Sequence, residues 1–258
     1  MGIEIKSARE VDAMRQAGRI VSTILKILSD RIRPGMKTKE LDVIAAREIK
    51  RLGAESSFLG YRGYPANVCV SINDEIVHGI PGDRVLEEGD IVSLDFGVVY
   101  RGYHGDAAVT LGVGKIAPEA RRLIEATQAS LEKGIAAARA GGHLGDISAA
   151  IQACAESQGY SVVREYTGHG IGRQMHEDPQ IPNCVDPPFG LKPGAGPALK
   201  KGMTLAIEPM LNVGDWHTRV AEDHWTVLTA DGSLSAHFEH TIAIDDKEPE
   251  VLTRGDHD

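Results

Sequence analysis

Two related helix-helix-strand halves within one α+β domain are what this 258-residue sequence predicts. Three observations carry that reading. Residues 33–53 (RPGMKTKELDVIAAREIKRLG) align with residues 139–159 (RAGGHLGDISAAIQACAESQG) at a constant offset of 106, placing Arg33 on Arg139, Gly35 on Gly141, Leu41 on Ile147 and Gly53 on Gly159. Residues 86–95 (LEEGDIVSLD) align with residues 199–208 (LKKGMTLAIE) at an offset of 113, so that Leu86 meets Leu199, Gly89 meets Gly202 and Asp95 meets Glu208. Helical and strand-like hydrophobic periodicities then follow in the same order in both parts. Two amphipathic helices can resemble one another by chance. Two blocks in the same order, with a carboxylate landing on a carboxylate, favour a pseudo-symmetric unit whose acids lie near the seam. The halves span about residues 7–112 and 118–245 of a single domain, 1–258, and a polar, solvated tail is expected over 246–258.

Each element has its own signal. Ser7 and Glu10 make an S-x-x-E capping pattern, and Val11, Met14, Ile20, Val21, Ile24, Leu25 and Leu28 follow at helical spacing. A second helix is expected from Thr38 to Leu52, with Leu41, Ile44, Ala45 and Ile49 inside and Gly53 as the stop. Residues 67–73 and 90–99 read as strands, and residues 104–111 as the return arm of a hairpin turning at Arg101-Gly102. Pro118 suits the first turn of a third helix, and a fourth runs from about Asp146 to Ser157, ending at Gly159. Residues 160–165, 203–212, 219–229 and 236–245 read as strands. The Pro- and Gly-rich stretch 177–200 is long for a structureless loop in a compact domain, and is either a lid or binding loop or a tolerated surface insertion.

Composition narrows the function classes. A formal net charge of −9 argues against a protein that mainly grips phosphate backbones, so direct nucleic-acid binding is not expected. Cys69, Cys154 and Cys184 are odd in number and form no CxxC pair, which fits a reducing compartment rather than a disulfide framework or thiolate zinc site. The start MGIEIKSARE has no apolar signal segment, and Lys6 occupies the position where a myristoylation signal needs Ser or Thr. No run of about 18 apolar residues suggests a membrane span. A cytoplasmic protein with no membrane partner is expected.

The chemistry-bearing residues stand out by being acids in apolar strands. Asp95 interrupts IVSLDFGVV, where an unpaired carboxylate would be costly. With a two-residue turn at Arg101-Gly102, facing positions sum to 203, so Asp95 faces Ala108 and Asp106 faces Gly97. Positions 95, 97, 106 and 108 then share one face, and the two acids become diagonal neighbours about 7–8 Å apart at the backbone. Two divalent ions about 3.5–4 Å apart fit between such carboxylates; a pair of acids on a solvated hairpin face is the plainer alternative. Glu208 in TLAIEPM and Glu239 in AHFEHTIAI are single acids in apolar strands, and His169 lies in TGHGIG, where the glycines permit close backbone approach. Two Asp, two Glu and one His balance two divalent ions and suit Mn, Fe(II), Co or Zn. His78 in DEIVHGIP and His176 in RQMHEDP each precede a Pro-containing turn and could polarise a carbonyl or hold an amide nitrogen. His104, His143, His217, His224, His237, His240 and His257 are read as surface or packing residues.

Taken together, SAREVDAMRQAG, GYPANVCVSINDEIVHGIP, LDFGVVYRGYHGDAAVTL, GHGIGRQMHEDP, AIEPM and SLSAHFEHTIAI resemble the type I methionine aminopeptidases of the pita-bread metallopeptidase fold, over nearly the whole chain. The resemblance implies that fold, with a curved antiparallel sheet covered by helices. It implies Asp95, Asp106, His169, Glu208 and Glu239 as ligands of two divalent ions, with Asp106 and Glu239 as the bridging pair. It places His78 and His176 against the substrate and Tyr61, Tyr64, Cys69 and Trp225 around a methionine pocket. Three departures accompany it: Met175, also expected in the pocket wall against the substrate, stands where an aromatic is common, Phe58 where a second cysteine is often seen, and the loop after His176 is longer than usual.

The implied activity is removal of an N-terminal methionine ahead of a small second residue, by a monomer working on nascent chains at the ribosome. Glu208 is the expected proton carrier, with His176 and His78 at the scissile amide. Met1-Gly2 would make the chain its own substrate. The absence of a zinc-finger or Pro-rich extension before Ile5 favours a short bacterial-type enzyme. Two rival readings stand beside it: an Xaa-Pro-directed relative such as aminopeptidase P or prolidase, which usually carries a large N-terminal domain, and a non-catalytic binding module of the same fold, which would lack a ligand. Thiol chemistry at Cys69 is disfavoured because that residue sits within an apolar strand.

Overall fold

Ser7 opens the first helix as its capping pattern requires: the Glu10 carboxylate accepts from the Ser7 backbone N–H at 2.9 Å and from its hydroxyl at 2.8 Å. The computed structural model describes residues 2–255; Met1 and residues 256–258, His257 among them, lie outside that span. In chain order the elements are α1 (Ala8–Ser29), α2 (Thr38–Arg51), β1 (Glu55–Ser56), β2 (Cys69–Ile72), β3 (Glu75–Val77), β4 (Ile91–Tyr100) and β5 (Tyr103–Gly112). Then come α3 (Pro118–Ala137), α4 (Leu144–Ser157), β6 (Ser161–Val162), β7 (Gly168–Gly170) and β8 (Glu177–Ile181). The chain continues with β9 (Thr204–Ile207), β10 (Met210–Asn212), β11 (Thr218–Val220), β12 (Val227–Thr229), β13 (Ser235–His237), β14 (Glu239–Ala243) and β15 (Glu250–Val251).

The central sheet is antiparallel at every pairing and runs β1-β4-β5-β14-β9-β7-β8, with β2 also on β4 and β15 also on β14. The β4–β5 hairpin pairs Ile91 with Gly112 through to Tyr100 with Tyr103. Its turn places Arg101 at φ +52° and Gly102 at φ +77°, the two left-handed residues that a tight hairpin turn demands.

The repeated sequence blocks adopt matching conformations. α2 and α4 begin and end 106 residues apart (38 to 144, 51 to 157). Gly35 and Gly141 both take positive φ, +85° and +88°, as do Gly89 and Gly202, +98° and +86°. An isolated bridge joins Lys37 to Val85 in the first half, and its counterpart joins His143 to Ala198 in the second. Each helix pair covers its own apolar core. Val21, Leu28 and Leu41 pack on Leu94 and Phe96 on one side. Leu123, Leu131, Ile147 and Ile151 pack on Leu205, Ile207 and Ile242 on the other. Each such side chain contributes about 1.5–3 kcal/mol through burial.

Several expected elements are shorter or divided. The strand expected over 203–212 breaks into β9 and β10, which join different sheets, because Pro209 has no N–H to continue a ladder. Residues 219–229 form the β11–β12 hairpin rather than one strand, with Asp223 accepting from the Trp225 and Thr226 N–H groups at the turn. The strand expected over 236–245 breaks at Phe238, and of 160–165 only Ser161–Val162 pairs. The stretch 177–200 begins as β8, and its later part seals the start of α4. Leu144 N–H donates to Pro197 O, Gly145 N–H to Ala195 O, and Asp146 accepts from Gly194 N–H.

Of the tail expected to be solvated, residues 245–248 are exposed, whereas residues 249–253 are packed and residues 256–258 lie outside the described span. Glu250–Val251 pairs with β14, Arg15 binds Glu250 at 2.6 Å, and Leu252 and Thr253 are each 2% exposed. The polar composition of the tail hid one apolar anchor, Leu252, which lies over Gly18 of α1. No helix among the described residues is long and apolar enough to cross a membrane, and the three cysteines are free.

Gly18 is small because the C-terminal segment crosses α1 there: a Cβ would sit 2.1 Å from the Leu252 carbonyl oxygen. Gly18→Ala is therefore expected to lower the melting temperature, by an amount corresponding to roughly 1–3 kcal/mol, as read by thermal denaturation. An unchanged melting temperature would mean that the tail is not held against α1.

Candidate metal centre

Antiparallel register delivers the acids to one wall. Asp95 in β4 faces Ala108, and Asp106 in β5 faces Gly97, so both acids point to the same side of the sheet. Glu239 opens β14 and pairs with Ala108. Glu208 follows the last residue of β9, at the point where Pro209 ends the ladder. His169 in β7 pairs with Ala206 of β9. The facing residues are small, which leaves space in front of the wall. A Cβ at Gly97 would lie 3.1 Å from Asp106 Oδ1 and 2.9 Å from the Phe58 ring.

The five groups converge. One ligand atom each from Asp106, His169 and Glu239 lie within 4.8 Å of one another, and His169 Nε2 is 3.5 Å from Glu208 Oε1. His169 Nδ1 is 2.8 Å from the Gly170 carbonyl. A carbonyl only accepts, so the proton resides on Nδ1 and Nε2 turns its lone pair toward the acids. Asp95 Oδ1, Asp106 Oδ1 and Glu239 Oε1 are buried with no hydrogen-bond partner. Burial raises the pKa of all four carboxylates above the usual range, and repulsion from neighbouring acids adds to this for Asp106, Glu208 and Glu239. Buried carboxylate oxygens without hydrogen-bond partners, grouped around one imidazole lone pair, form a donor set that fits a divalent cation. The donor set fits oxygen-preferring or borderline ions, with no thiolate among the converging atoms.

In front of this wall lies a cavity of about 150 Å³, lined by the five residues and by Phe58, Tyr61, Arg62, Tyr64, Cys69, His78, Met175, His176 and Trp225. All twelve site residues expected from the sequence therefore face one space. Its walls come from separate segments. Cys69 in β2 pairs with Asp95 and is buried, so its thiol titrates well above its ordinary value because of burial and the nearby acids. Tyr64 donates to the Gly79 carbonyl at 2.9 Å and meets Trp225 edge-on at 5.1 Å between ring centres. Trp225 sits at the tip of the β11–β12 hairpin, so that hairpin serves to place an aromatic wall.

The two remaining histidines are held neutral. His176 stacks on Tyr61 with Nδ1 2.9 Å from its hydroxyl, and its ring centre lies 4.2 Å from that of His169. Burial, then His169, push its pKa down to about 3. The adjacent Glu177 is tied to buried Lys6 by an ion pair that anchors the start of β8. His78 has φ +62°, a left-handed conformation that a non-glycine residue keeps only when its surroundings impose it. Burial lowers its pKa to about 4. The following Gly79 is packed so closely that a Cβ would lie 2.2 Å from the Val70 carbonyl oxygen.

Sequence reasoning missed three groups beside the site. His237 is 1% exposed, neither ring nitrogen has a hydrogen-bond partner, and Nε2 lies 3.9 Å from Glu208 Oε2. Asn183 donates to the Glu208 carbonyl at 3.0 Å. Arg62 contributes a cationic rim. Of these, only His237 carried a signal, its place two residues before Glu239. The other histidines read as surface or packing include His104, bonded to Ser57 at 2.8 Å, and His217, stacked on half-buried Trp216. His143 precedes α4, His224 sits exposed at the hairpin turn, and His240 meets the Thr253 hydroxyl at 2.9 Å.

Comparison with known proteins gives a consistent picture. The model of metallopeptidase family M24 matches residues 12–246. Methionine aminopeptidase 1 of Bacillus subtilis is 52% identical over 249 residues, covering 96% of this chain and 98% of that protein. The crystal structure of methionine aminopeptidase from Thermotoga maritima superposes with a TM-score of 0.94 at 46% identity, covering 98% of this chain and 100% of that one. Prolidase from Pyrococcus furiosus shares the fold, with a TM-score of 0.78 at 22% identity, and this chain spans 65% of its length.

The depressed His78 pKa has a stability consequence. Between its unfolded value of about 6.5 and its folded value of about 4, the unfolded chain binds a proton that the folded chain refuses. Its contribution is thus fully present above pH 6.5 and is lost as pH falls toward 4. Chemical denaturation across pH 4–7 is expected to give a shallower fall in stability for His78→Asn than for the parent. Parallel profiles would refute the neutral buried ring.

Proposed function

Because the chain belongs to metallopeptidase family M24, we propose that it is a methionyl aminopeptidase, a hydrolase that removes N-terminal methionine when the second residue is small. The observation that carries this reading is the wall of buried, unpartnered carboxylates facing a small aromatic- and thiol-lined cavity. Asp95, Asp106, His169, Glu208 and Glu239 would hold two divalent ions, Co, Mn, Fe(II) or Zn. Asp106 and Glu239 would be shared between the two, Asp95 would complete one, and His169 with Glu208 the other. Four carboxylate charges balance two such ions. The chemistry that divalent ions supply at such a site is Lewis acidity toward a carbonyl and acidification of water to near-neutral pH.

The chain's own groups perform the rest. Glu208 takes the proton of the attacking water and passes it to the leaving amine. In the tautomer in which the Tyr61 hydroxyl donates to Nδ1, neutral His176 carries its proton on Nε2 and can donate to the developing oxyanion. Neutral His78 stands near the scissile amide. The side chain of the first residue enters between Cys69, Tyr64, Met175 and Trp225, where a flexible thioether packs well against sulfur and aromatic edges. A cavity of about 150 Å³ has room for that side chain, and crowding beyond it would favour a small second residue.

We place its work in the cytoplasm, as a monomer acting on nascent chains at the ribosome. Three free cysteines fit a reducing compartment.

Release of free methionine discriminates the readings. After chelation and re-addition of Mn, Fe, Co or Zn, Met-Ala-Ser is expected to turn over, and Met-Leu-Ser and an Xaa-Pro peptide are not. Preference for the Xaa-Pro peptide would move the chain to a proline-directed activity. Glu208→Gln, reloaded with metal, is expected to lose at least about 100-fold in kcat on a Met-Gly peptide. Near-parental turnover would remove Glu208 from the proton-carrying role.

A further inference from the structure

β14 shares its free edge between two partners. Glu239 and His240 pair with Ala108 and Ala107 of β5, whereas Ile242 and Ala243 pair with Val251 and Glu250 of β15. Thr241 stands at the fork. Its backbone N–H donates to Thr253 Oγ1 at 3.1 Å and its carbonyl accepts from Leu252 N–H at 2.9 Å. That commits its main chain to the C-terminal segment. Asp106, the next residue of β5 past the last ladder pair, is left without a backbone partner from β14.

The Thr241 side chain fills the place of the missing ladder bonds. Its Oγ1 accepts from the Asp106 N–H at 3.1 Å and donates to the Asp106 carbonyl at 2.8 Å. A hydroxyl has one donor and two acceptor positions, so both bonds form at once. Thr241 is 0% exposed, so its side chain is shielded from bulk solvent. One side chain thus grips both backbone polar groups of Asp106, two residues after Glu239. A groove of about 640 Å³ opens on the helix face at this fork, lined in part by Ala107, His240 and Thr253, so packing from that side does not fix the spacing of the two strands.

We propose that Thr241 is a positioning residue that keeps Asp106 and Glu239, the two shared acids, in register across the fork, so that divalent-ion affinity depends on its hydroxyl. The inference rests on the metal assignment made under Proposed function. Second-sphere groups of this kind set ligand geometry, and their loss weakens metal binding by about 10–100-fold.

The test compares Mn²⁺ binding by isothermal titration calorimetry for chelated full-length parent, Thr241→Val, Thr241→Ala and Thr241→Ser, with the melting temperature of each metal-free protein. The hydroxyl-free variants are expected to bind Mn²⁺ about 10–100-fold more weakly, and Thr241→Ser to restore binding to within about threefold of the parent. Thr127→Val removes another fully buried hydroxyl, one that donates to the Leu123 carbonyl within α3. It is expected to lower the melting temperature while leaving Mn²⁺ affinity unchanged. Parental affinity in Thr241→Val or Thr241→Ala, no rescue by Ser, or equal weakening by Thr127→Val would each overturn the assignment alone. A parent chain that takes up no divalent ion would overturn the metal reading and this assignment with it.

Discussion

Four carboxylates on one wall, Asp106 and Glu239 buried and Asp95 and Glu208 partly so, are the constraint around which the rest of this structure is arranged. Any one of them, ionised and unpaired, would cost several kcal/mol in such surroundings. Holding four together needs a rigid scaffold, and antiparallel ladders backed by two separate apolar cores provide it. The small residues facing the acids, Ala108 and Gly97, then acquire a reason: anything larger would fill the space where countercharge must sit. Stability and chemistry pull in opposite directions here, as they commonly do at functional sites.

Much of this was legible in the sequence where a short-range rule applied. A two-residue turn fixes hairpin register, so the facing of Asp95 with Ala108 and of Asp106 with Gly97 could be counted out and is what the structure has. The repeated blocks pointed to matching helices and glycines, and α2 and α4 match to the residue. What escaped depended on contacts distant in sequence. Glu208-Pro209 and Phe238 divide apolar runs that periodicity alone reads as continuous. The C-terminal segment looked solvated because its short apolar pair, Val251-Leu252, stands in an otherwise polar stretch, while in space Leu252 lies against α1. His237 resembled any other histidine, since burial without a partner leaves no trace in composition.

Size is a poor guide to the site. The groove of about 640 Å³ at the strand fork is larger than the cavity of about 150 Å³ in front of the acids. It shares Glu239 with that cavity, but the other charged side chains of its lining are paired, Lys26 with Asp30 at 3.0 Å and Arg254 with Glu132 at 2.5 Å. The smaller cavity has the opposite character: orphaned oxygens, two histidines held neutral by burial, and a left-handed backbone at His78. Unsatisfied polar groups and imposed strain locate chemistry better than volume does.

The C-terminal strap over β14 makes the acid wall a non-local assembly. Asp95 and Asp106 share one hairpin whose pairing needs only neighbouring chain, but Thr241, which holds Asp106, lies 135 residues further along and is itself satisfied by the Leu252–Thr253 segment. Contacts of such long sequence separation cost loop entropy before they repay it and form late in folding. The hairpin can therefore exist before the centre does, and the wall is complete only once the distant segments have docked.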